Sequence, residues 1–170
     1  GEVTRTAPVD AKLKDEAYAR GVLDSFVGPQ MQVPPAFSAI SVNGVRAYKR
    51  ARAGESVDLP ARPVEIFELQ LLSVLVDGEQ VVWNIACTVS KGTYIRSLAR
   101  DIGRAAQSAA HIVSLRRSAS GSISLAHAIE LEGVSADALR AHAIDPVSSL
   151  GLGRVDLPSE ALARILNGQT

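Results

Sequence analysis

Positive charge and one aromatic ring come together in the stretch SKGTYIRSLARDIG, residues 90–103. A glycine-containing turn precedes a predicted helix, and a helix amino end favours anions because its first backbone N–H groups are unpaired. Tyr94 supplies a ring able to stack on a base, and Lys91 and Arg96 supply positive charge beside it. The stretch therefore predicts either simple helix capping, with Thr93 as the cap, or a site for something flat and negatively charged.

Arginines recur every four residues along this predicted helix and line up beside its apolar stripe. Arg96 lies in the first turn, where the helix dipole disfavours a cation. We therefore expect Arg96 either to extend away from the helix or to have an acidic partner. Arg100 and Arg104 are expected to face solvent.

Most other catalytic chemistry has no support in the sequence. The three histidines have no partners at metal-ligand spacing, and phosphate-loop, dinucleotide and Gly-x-Ser-x-Gly motifs are absent. Cys87, the single cysteine, falls on the apolar face of a predicted strand. We expect it to be buried and structural rather than nucleophilic. Hydrolase, kinase, redox and metal-dependent functions are therefore disfavoured.

The elements that must position the 90–103 stretch follow from hydrophobic periodicity and turn signals. Alternating residues predict a strand from Pro63 to Leu75, with Phe67, Leu69 and Leu71 on one face, and a returning strand to Val89 after a hairpin turn at Asp77–Gly78. The remaining predictions are helices over 8–27, 46–53 and 134–142, an extended segment over 30–45 with a turn at Asn43–Gly44, and two short strands between 112 and 125. Together they predict an α+β fold: a mixed, largely antiparallel sheet with flanking helices.

Size and charge set limits on the class of protein. The chain has 170 residues, is 46% hydrophobic and carries zero net charge, so it can build a core but gives no overall electrostatic argument for nucleic acid. Basic residues concentrate in 46–62 and 91–117, either as a phosphate-binding patch or as ordinary solvated surface. No signal segment or membrane-length apolar run is present, so we expect a cytoplasmic protein.

Four motifs carry a family resemblance. QVPPAFSAISVNGVRAYKRARAGESV (residues 32–57), ARPVEI, SKGTYIRSLARDIG and HIVSLRRS occur in an order and at spacings that resemble the TruB family of tRNA pseudouridine synthases. The resemblance implies an enzyme that detaches a uracil from its ribose in the tRNA T-loop, turns it and rejoins it through carbon. It also implies no cofactor and no metal, with the tRNA T-stem-loop as partner. We expect a monomeric protein with no membrane partner.

The resemblance also implies roles for individual residues. Tyr94 would contact the flipped uridine, Leu115 would close the apolar side of the base pocket, and Arg96 would pair with the catalytic aspartate. The residues expected to contact RNA are Lys91, Arg46, Arg116 and Arg117. One departure concerns residues 106–109, where Ala-Gln-Ser-Ala replaces a helix end rich in leucine and glycine. Glycine normally relieves left-handed strain in such a turn.

The family's catalytic aspartate lies in a Gly-Thr-Leu-Asp-Pro-like motif that residues 1–170 lack. Asp145 in Ile-Asp-Pro follows the core motifs and is interpreted as part of a linker. We expect residues 1–143 to be the second half of the catalytic domain, and 144–170 to be a linker and the beginning of a small carboxy-terminal RNA-binding domain. This fragment alone is expected to be inactive. A non-catalytic RNA-binding module with a retained base pocket, and a scaffold piece without RNA function, are the alternatives.

Overall fold

The computed structural model describes residues 3–42, 44–56, 58–132, 134–151, 153 and 155–168. About 31% of the chain is helix and 24% is strand, and the strand pairs in the described residues are all antiparallel. The predicted α+β class is therefore confirmed. The chain forms two compact units, residues 1–113 and 114–170. The expected division into catalytic and carboxy-terminal domains near residue 143 stays a prediction.

The first unit contains the 90–103 stretch and the sheet that supports it. After a 3-10 turn at Ala11–Lys14, its elements are α1 (Glu16–Asp24), β1 (Gly28–Gln32), β2 (Ser41–Val42), β3 (Val45–Arg46), α2 (Ala47–Arg52), β4 (Arg62–Asp77), β5 (Gln80–Val89) and α3 (Ile95–Ala105). Helix α2 confirms the short helix predicted over 46–53. Strands β2 and β3 pair through Val42 and Val45; in the predicted turn between them, Gly44 has φ +81° and Asn43 lies outside the described residues.

Helix α1 is shorter than the helix predicted over 8–27. Asp10 caps the 3-10 turn by accepting the Lys12 N–H, and Asp15 then caps α1 by accepting the Tyr18 N–H at 2.7 Å. Asp15 itself is extended, with φ −87° and ψ 121°. Asp15, a favoured cap residue, therefore divides the predicted helix into two pieces, and Asp10 caps the first of them.

The sheet has the strand order β1–β4–β5. The predicted hairpin is confirmed: Asp77 pairs with Gln80, and Gly78 between them adopts φ +57°, a conformation that glycine allows without steric cost. The predicted placement of Phe67 beside the core residues of β4 is wrong, because its side chain is 54% exposed. A register shift between Ile66 and Glu68 moves it out of the alternation.

The core of the first unit lies between the sheet and two helices. Leu23 of α1 and Ile66 of β4 are each only 1% exposed, and Leu98 and Ile102 bring α3 onto the same cluster. Burying a side chain of this size contributes about 1.5–3 kcal/mol. The apolar stripe of α3 therefore fixes that helix against the sheet. This packing also positions the amino end of α3.

Cys87 does not follow its predicted burial. It pairs with the buried Leu69 in the β4–β5 register, yet Cys87 itself is exposed. Strand β5 lies at an edge of the sheet in its strand order, so among the described strands it has a neighbour on one side only. Partial desolvation by neighbouring protein atoms still raises the pKa of the thiol. At neutral pH this disfavours the thiolate, so the prediction that Cys87 is not activated as a nucleophile keeps its physical basis.

The second unit has short elements. These are β6 (Ala119–Ser120), β7 (Ile123–Ser124), a 3-10 turn (Leu125–His127), α4 (Ala136–Ala141), α5 (Pro146–Ser149) and α6 (Ser159–Leu166). Helix α4 confirms the helix predicted over 134–142, and the two short strands exist but span less than predicted. Among the residues that the structure describes, none of the helices is long and apolar enough to cross a membrane.

Candidate functional site

The turn that precedes α3 is fastened to β4. The Ser90 N–H donates to the Glu65 carbonyl at 2.8 Å, and the Glu65 N–H donates to Ser90 Oγ at 2.9 Å. Gly92 adopts φ +86°, which places the chain in the left-handed region that glycine tolerates. Lys91 beside it is exposed. The sheet therefore holds the turn in place while its lysine faces solvent.

Helix α3 begins differently from the prediction. Its cap residue is Tyr94, with φ −94° and ψ 107°, and Thr93 makes no cap hydrogen bond; its Oγ1 instead lies 3.3 Å from Ser90 Oγ. The Tyr94 N–H donates to Gln32 Oε1 at 2.9 Å, and Gln32 Nε2 donates to the Tyr94 carbonyl at 3.3 Å. A glutamine from the end of β1 thus holds both backbone groups of the cap residue, since its amide offers both an acceptor and a donor.

Residues 32–38, which we call the crossing segment, run along the first turns of α3. Ser97 Oγ and Arg100 Nη2 both donate to the Val33 carbonyl, each at 2.9 Å. Arg96 Nη2 donates to the Phe37 carbonyl at 2.8 Å. Since Ser97 is 1% exposed and Gln32 is 6% exposed, part of this contact is buried. The crossing segment therefore fixes α3 at its amino end, where Tyr94 and Arg96 lie.

Arg96 has a carbonyl oxygen as its partner in this chain. The sequence predicted an acidic partner or an extended side chain. In the structure the exposed guanidinium donates a hydrogen bond from Nη2 to the Phe37 carbonyl. A guanidinium has five N–H donors arranged as a planar fork. One contact to a carbonyl leaves further donors, so the same side chain retains the capacity to bind a carboxylate.

The two other arginines of α3 behave differently from each other. Arg100 was predicted to face solvent, and this is wrong: its side chain is 29% exposed and lies 2.8 Å from Asp101 Oδ1. Its other contact, to the Val33 carbonyl, explains why it is drawn inward. Arg104, with its side chain 62% exposed and 3.5 Å from Asp101 Oδ1, faces solvent as predicted.

Tyr94 and Leu115, predicted to share a pocket, lie in different compact units. Tyr94 is half-buried. Leu115 is 63% exposed, and Arg116 and Arg117 beside it are exposed as well. A common pocket formed by Tyr94 and Leu115 therefore stays a prediction.

The other basic block surrounds α2. Arg46 precedes this helix, is exposed, and donates through Nη1 to the Ala39 carbonyl at 2.5 Å. Arg50 pairs with Glu55 at 2.7 Å, and the Arg52 guanidinium lies 5.6 Å from the centre of the Tyr48 ring. Part of this block is thus occupied by local contacts, although Arg46 keeps an exposed guanidinium.

Acidic and metal-binding groups add little to the site. In the described part of the chain, histidine, cysteine and acidic side chains form no group of three or more that could hold a metal ion. Asp145 caps α5, and hydrogen bonds from Ser148, followed by one from the Val147 N–H, lower the pKa of its carboxyl group. This local capping contact is consistent with the interpretation of Asp145 as part of a linker.

Gln32 is the residue that sequence reasoning missed. It opens the 32–57 motif, but a glutamine at a strand end is typical of surface, and its contact with Tyr94 joins residues 62 positions apart. Ser97 was missed for the same reason, because a serine inside an amphipathic helix gives no sign of burial. The motif itself was the one available signal that these residues act together.

Two family models match the chain in succession. Residues 1–95 match the TruB family pseudouridylate synthase (N terminal domain), and residues 96–164 match the tRNA pseudouridylate synthase B C-terminal domain. The boundary falls at the first residues of α3. The first match alone covers more than half of the 170 residues.

Curated relatives give the same assignment. Proteins named tRNA pseudouridine synthase B from Dinoroseobacter shibae and Burkholderia lata are 40% and 39% identical over 99% of this chain, which covers 55% and 52% of their lengths. The protein of that name from Deinococcus radiodurans is 37% identical over 89% of this chain, covering 57% of its own length. The chain thus spans about half the length of the curated relatives it matches. By these matches, the chain belongs to the TruB family of pseudouridylate synthases.

Proposed function

We propose that the protein carrying this chain is a tRNA pseudouridine synthase that isomerises the T-loop uridine at position 55 of tRNA. Family membership and the shared name of its relatives support the reaction and the substrate class. The observation that carries the proposal is the placement of half-buried Tyr94 beside exposed Arg96, both held at the start of α3 by the crossing segment.

The proposed reaction is an isomerisation. The bond between uracil N1 and ribose C1′ breaks, the base turns, and a bond forms between C5 and C1′. The C5 hydrogen leaves as a proton and N1 gains one, so the atoms and electrons balance without an oxidant or reductant. No cofactor or metal is required in this scheme. Catalysis therefore depends on side chains and on the position in which they hold the base.

Tyr94 contacts the flipped uridine in this proposal. A base inside a loop stack cannot be reached, so it must leave the stack and find a replacement surface in the protein. An aromatic ring provides that surface, and base–aromatic stacking contributes about 1–3 kcal/mol per base. Because Tyr94 is half-buried, protein atoms can support part of its ring while the rest meets the base. For Leu115, the apolar side of the base pocket is proposed on the family resemblance alone.

Arg96 pairs with the catalytic aspartate of the family in the same proposal. The Phe37 carbonyl holds one edge of the guanidinium, and the remaining donors suit a carboxylate in two-point contact. This assignment also accounts for a cation in the first turn of a helix, where the dipole opposes it unless a negative group is close. The Phe37 carbonyl supplies only a partial negative charge.

RNA contacts come from exposed basic residues outside the pocket. Phosphate contacts contribute affinity and register rather than sequence information. The turn before α3, the start of α2 and the segment after residue 113 each expose such side chains. The residues proposed for this role are Lys91, Arg46, Arg116 and Arg117.

The proposal is tested with tRNA labelled with tritium at uridine C5. Because C5 becomes the glycosidic carbon, each turnover releases the label into water. The natural protein that carries this chain is expected to release tritium from T-loop uridine. Arg96→Lys keeps the charge but loses the planar fork, so we expect kcat to fall about 10²-fold or more.

Arg104→Lys is the matched control, because it makes the same change on the same helix at a solvent-facing position. We expect it to retain the parent's kcat. An Arg96→Lys protein with parental kcat would contradict the pairing with a catalytic carboxylate. A parent that binds tRNA but releases no tritium would favour the alternative, a non-catalytic RNA-binding module with a retained base pocket.

Residues 1–170 alone should convert no uridine, because no residue among them matches the family's aspartate motif. The T-stem-loop is the part of tRNA recognised, and the protein acts as a monomer in the cytoplasm. Gel filtration with and without a T-stem-loop RNA would test the monomer, since a dimer would elute at twice the expected mass.

A further inference from the structure

Gln32 is a buried polar residue whose amide oxygen and amide nitrogen both contact the same backbone position. Its side chain is 6% exposed at the end of β1. The amide oxygen accepts the Tyr94 N–H at 2.9 Å, and the amide nitrogen donates to the Tyr94 carbonyl at 3.3 Å. Both polar groups of the Tyr94 backbone are therefore held by one side chain from another element.

The geometry is specific to a glutamine. An amide offers a donor and an acceptor side by side, whereas a carboxylate offers acceptors alone and an apolar side chain offers neither. The Tyr94 carbonyl also accepts the Leu98 N–H at 3.0 Å, the first bond of α3. Gln32 thus supplements the helix rather than replacing one of its bonds. Without it, the Tyr94 N–H would lose its partner in a partly buried site, which is unfavourable.

The surrounding contacts make this a rigid support. The next residue, Val33, accepts hydrogen bonds from Ser97 and Arg100 at its carbonyl. Strand β1 in turn pairs with β4 in register, with Gln32 opposite Arg62. The position of the Tyr94 backbone is therefore tied to the sheet, and not to the local turn alone.

We propose that Gln32 is a positioning residue for the uridine site: its amide fixes the Tyr94 backbone and thereby the ring that meets the base. The inference rests on the function proposed above. A tyrosine ring extends far from its backbone, so a rotation of about 10° at the backbone moves the ring tip by about 1 Å, a displacement that can cost about 10²-fold in rate.

The test uses the natural protein that carries this chain, with Gln32→Met as the variant and Gln30→Met as the matched control. Gln30 lies two residues earlier on β1, and its amide nitrogen donates to the Phe26 carbonyl rather than to α3. The two variants make the same chemical change on the same strand. They differ in whether the lost amide contacts Tyr94.

Two measurements are made on each variant. Single-turnover tritium release with saturating enzyme gives a rate constant that does not depend on the fraction of active protein. Amide hydrogen exchange reports the Tyr94 N–H directly. For Gln32→Met we expect the rate to fall about tenfold or more and Tyr94 to lose protection, while the amides of Leu98 and Ile102 keep theirs. Gln30→Met should change neither quantity.

The outcomes separate the inference from the function on which it rests. Parental rate and Tyr94 protection in Gln32→Met would overturn the role of Gln32 alone. Loss of protection along the whole of α3 would overturn it too, because Gln32 would then support the helix in general. A parent that releases no tritium would overturn the proposed function, and the positioning role would fall with it.

Discussion

Two glycines inside helices should respond in opposite ways to the same substitution. Gly103 lies in α3, where an added Cβ would come 2.6 Å from the Ala110 backbone nitrogen and 2.8 Å from its Cβ. Gly21 lies in α1, where an added Cβ would meet nothing within 4 Å among the described residues. Alanine therefore clashes with the backbone at one site and is accommodated at the other.

The expected magnitudes follow from these distances. Alanine in a helix interior is about 0.5–1 kcal/mol more favourable than glycine, so Gly21→Ala should raise the free energy of unfolding by about that amount. At Gly103 the same gain is opposed by overpacking against the backbone of Ala110, which costs about 1–3 kcal/mol. Gly103→Ala should therefore lower the free energy of unfolding, by up to about 2.5 kcal/mol.

Urea denaturation followed by tryptophan fluorescence measures both effects. Trp83 is the single tryptophan of the chain, and its Nε1 donates to the Leu13 carbonyl at 2.8 Å, so it reports on the first unit. A Gly103→Ala protein as stable as Gly21→Ala would refute the close packing of α3 against residue 110.

Three further predictions address single residues. Gln107 has φ +57°, a backbone conformation that glycine adopts with less strain than alanine. Urea denaturation should therefore show Gln107→Gly to be about 1 kcal/mol more stable than Gln107→Ala. Equal stability of the two variants would argue against the left-handed turn. Ser38→Ala should leave the free energy of unfolding unchanged or raise it by about 1 kcal/mol, because Ser38 Oγ is buried without a hydrogen-bond partner in the described residues. A clear loss of stability in this variant would show that Oγ has a partner. The Asp145 pKa is lowered in the folded chain, so its capping contribution should be complete above the ordinary carboxyl pKa and disappear as pH falls through the lower value. An NMR titration of the Asp145 carboxyl carbon checks this, and a midpoint above the ordinary value would contradict it.

Local sequence signals predicted the β4–β5 hairpin because its determinants are local. Alternation along both strands and the turn at Asp77–Gly78 are readable within a few residues. The exposure of Phe67 could not be predicted from nearby residues, because a register shift depends on how the two strands pair. Cys87 shows the same limit, since its exposure depends on the place of β5 in the sheet rather than on its own neighbours in sequence.

The candidate site was predicted in part for the same reason. The charge, the ring and the turn of residues 90–103 are contiguous, so Tyr94 and Arg96 could be singled out without knowledge of the fold. The residues that hold this stretch in place could not be identified in the same way. Gln32 and Phe37 reach α3 from 62 and 59 positions away, and only folding of the crossing segment onto the helix brings them there.

The turn after α3 shows how a departure from a family pattern is accommodated. The sequence lacks glycine there, and Gln107 adopts the left-handed conformation itself. The Ser108 N–H donates to the Gly103 carbonyl at 2.8 Å, a bond typical of a helix end that closes through a left-handed residue. The Gln107 side chain also accepts from Lys12 Nζ at 2.5 Å, a contact that glycine could not make.

We propose that Tyr94 and Arg96 belong to a site that converts the T-loop uridine of tRNA. The most direct measurement maps pseudouridine, nucleotide by nucleotide, in a tRNA transcript incubated with the natural protein or with its Arg96→Lys variant. We expect pseudouridine at position 55 with the parent, and little or none with the variant at equal enzyme concentration. Modification at other positions alone, or equal modification of position 55 by both proteins, would contradict the account.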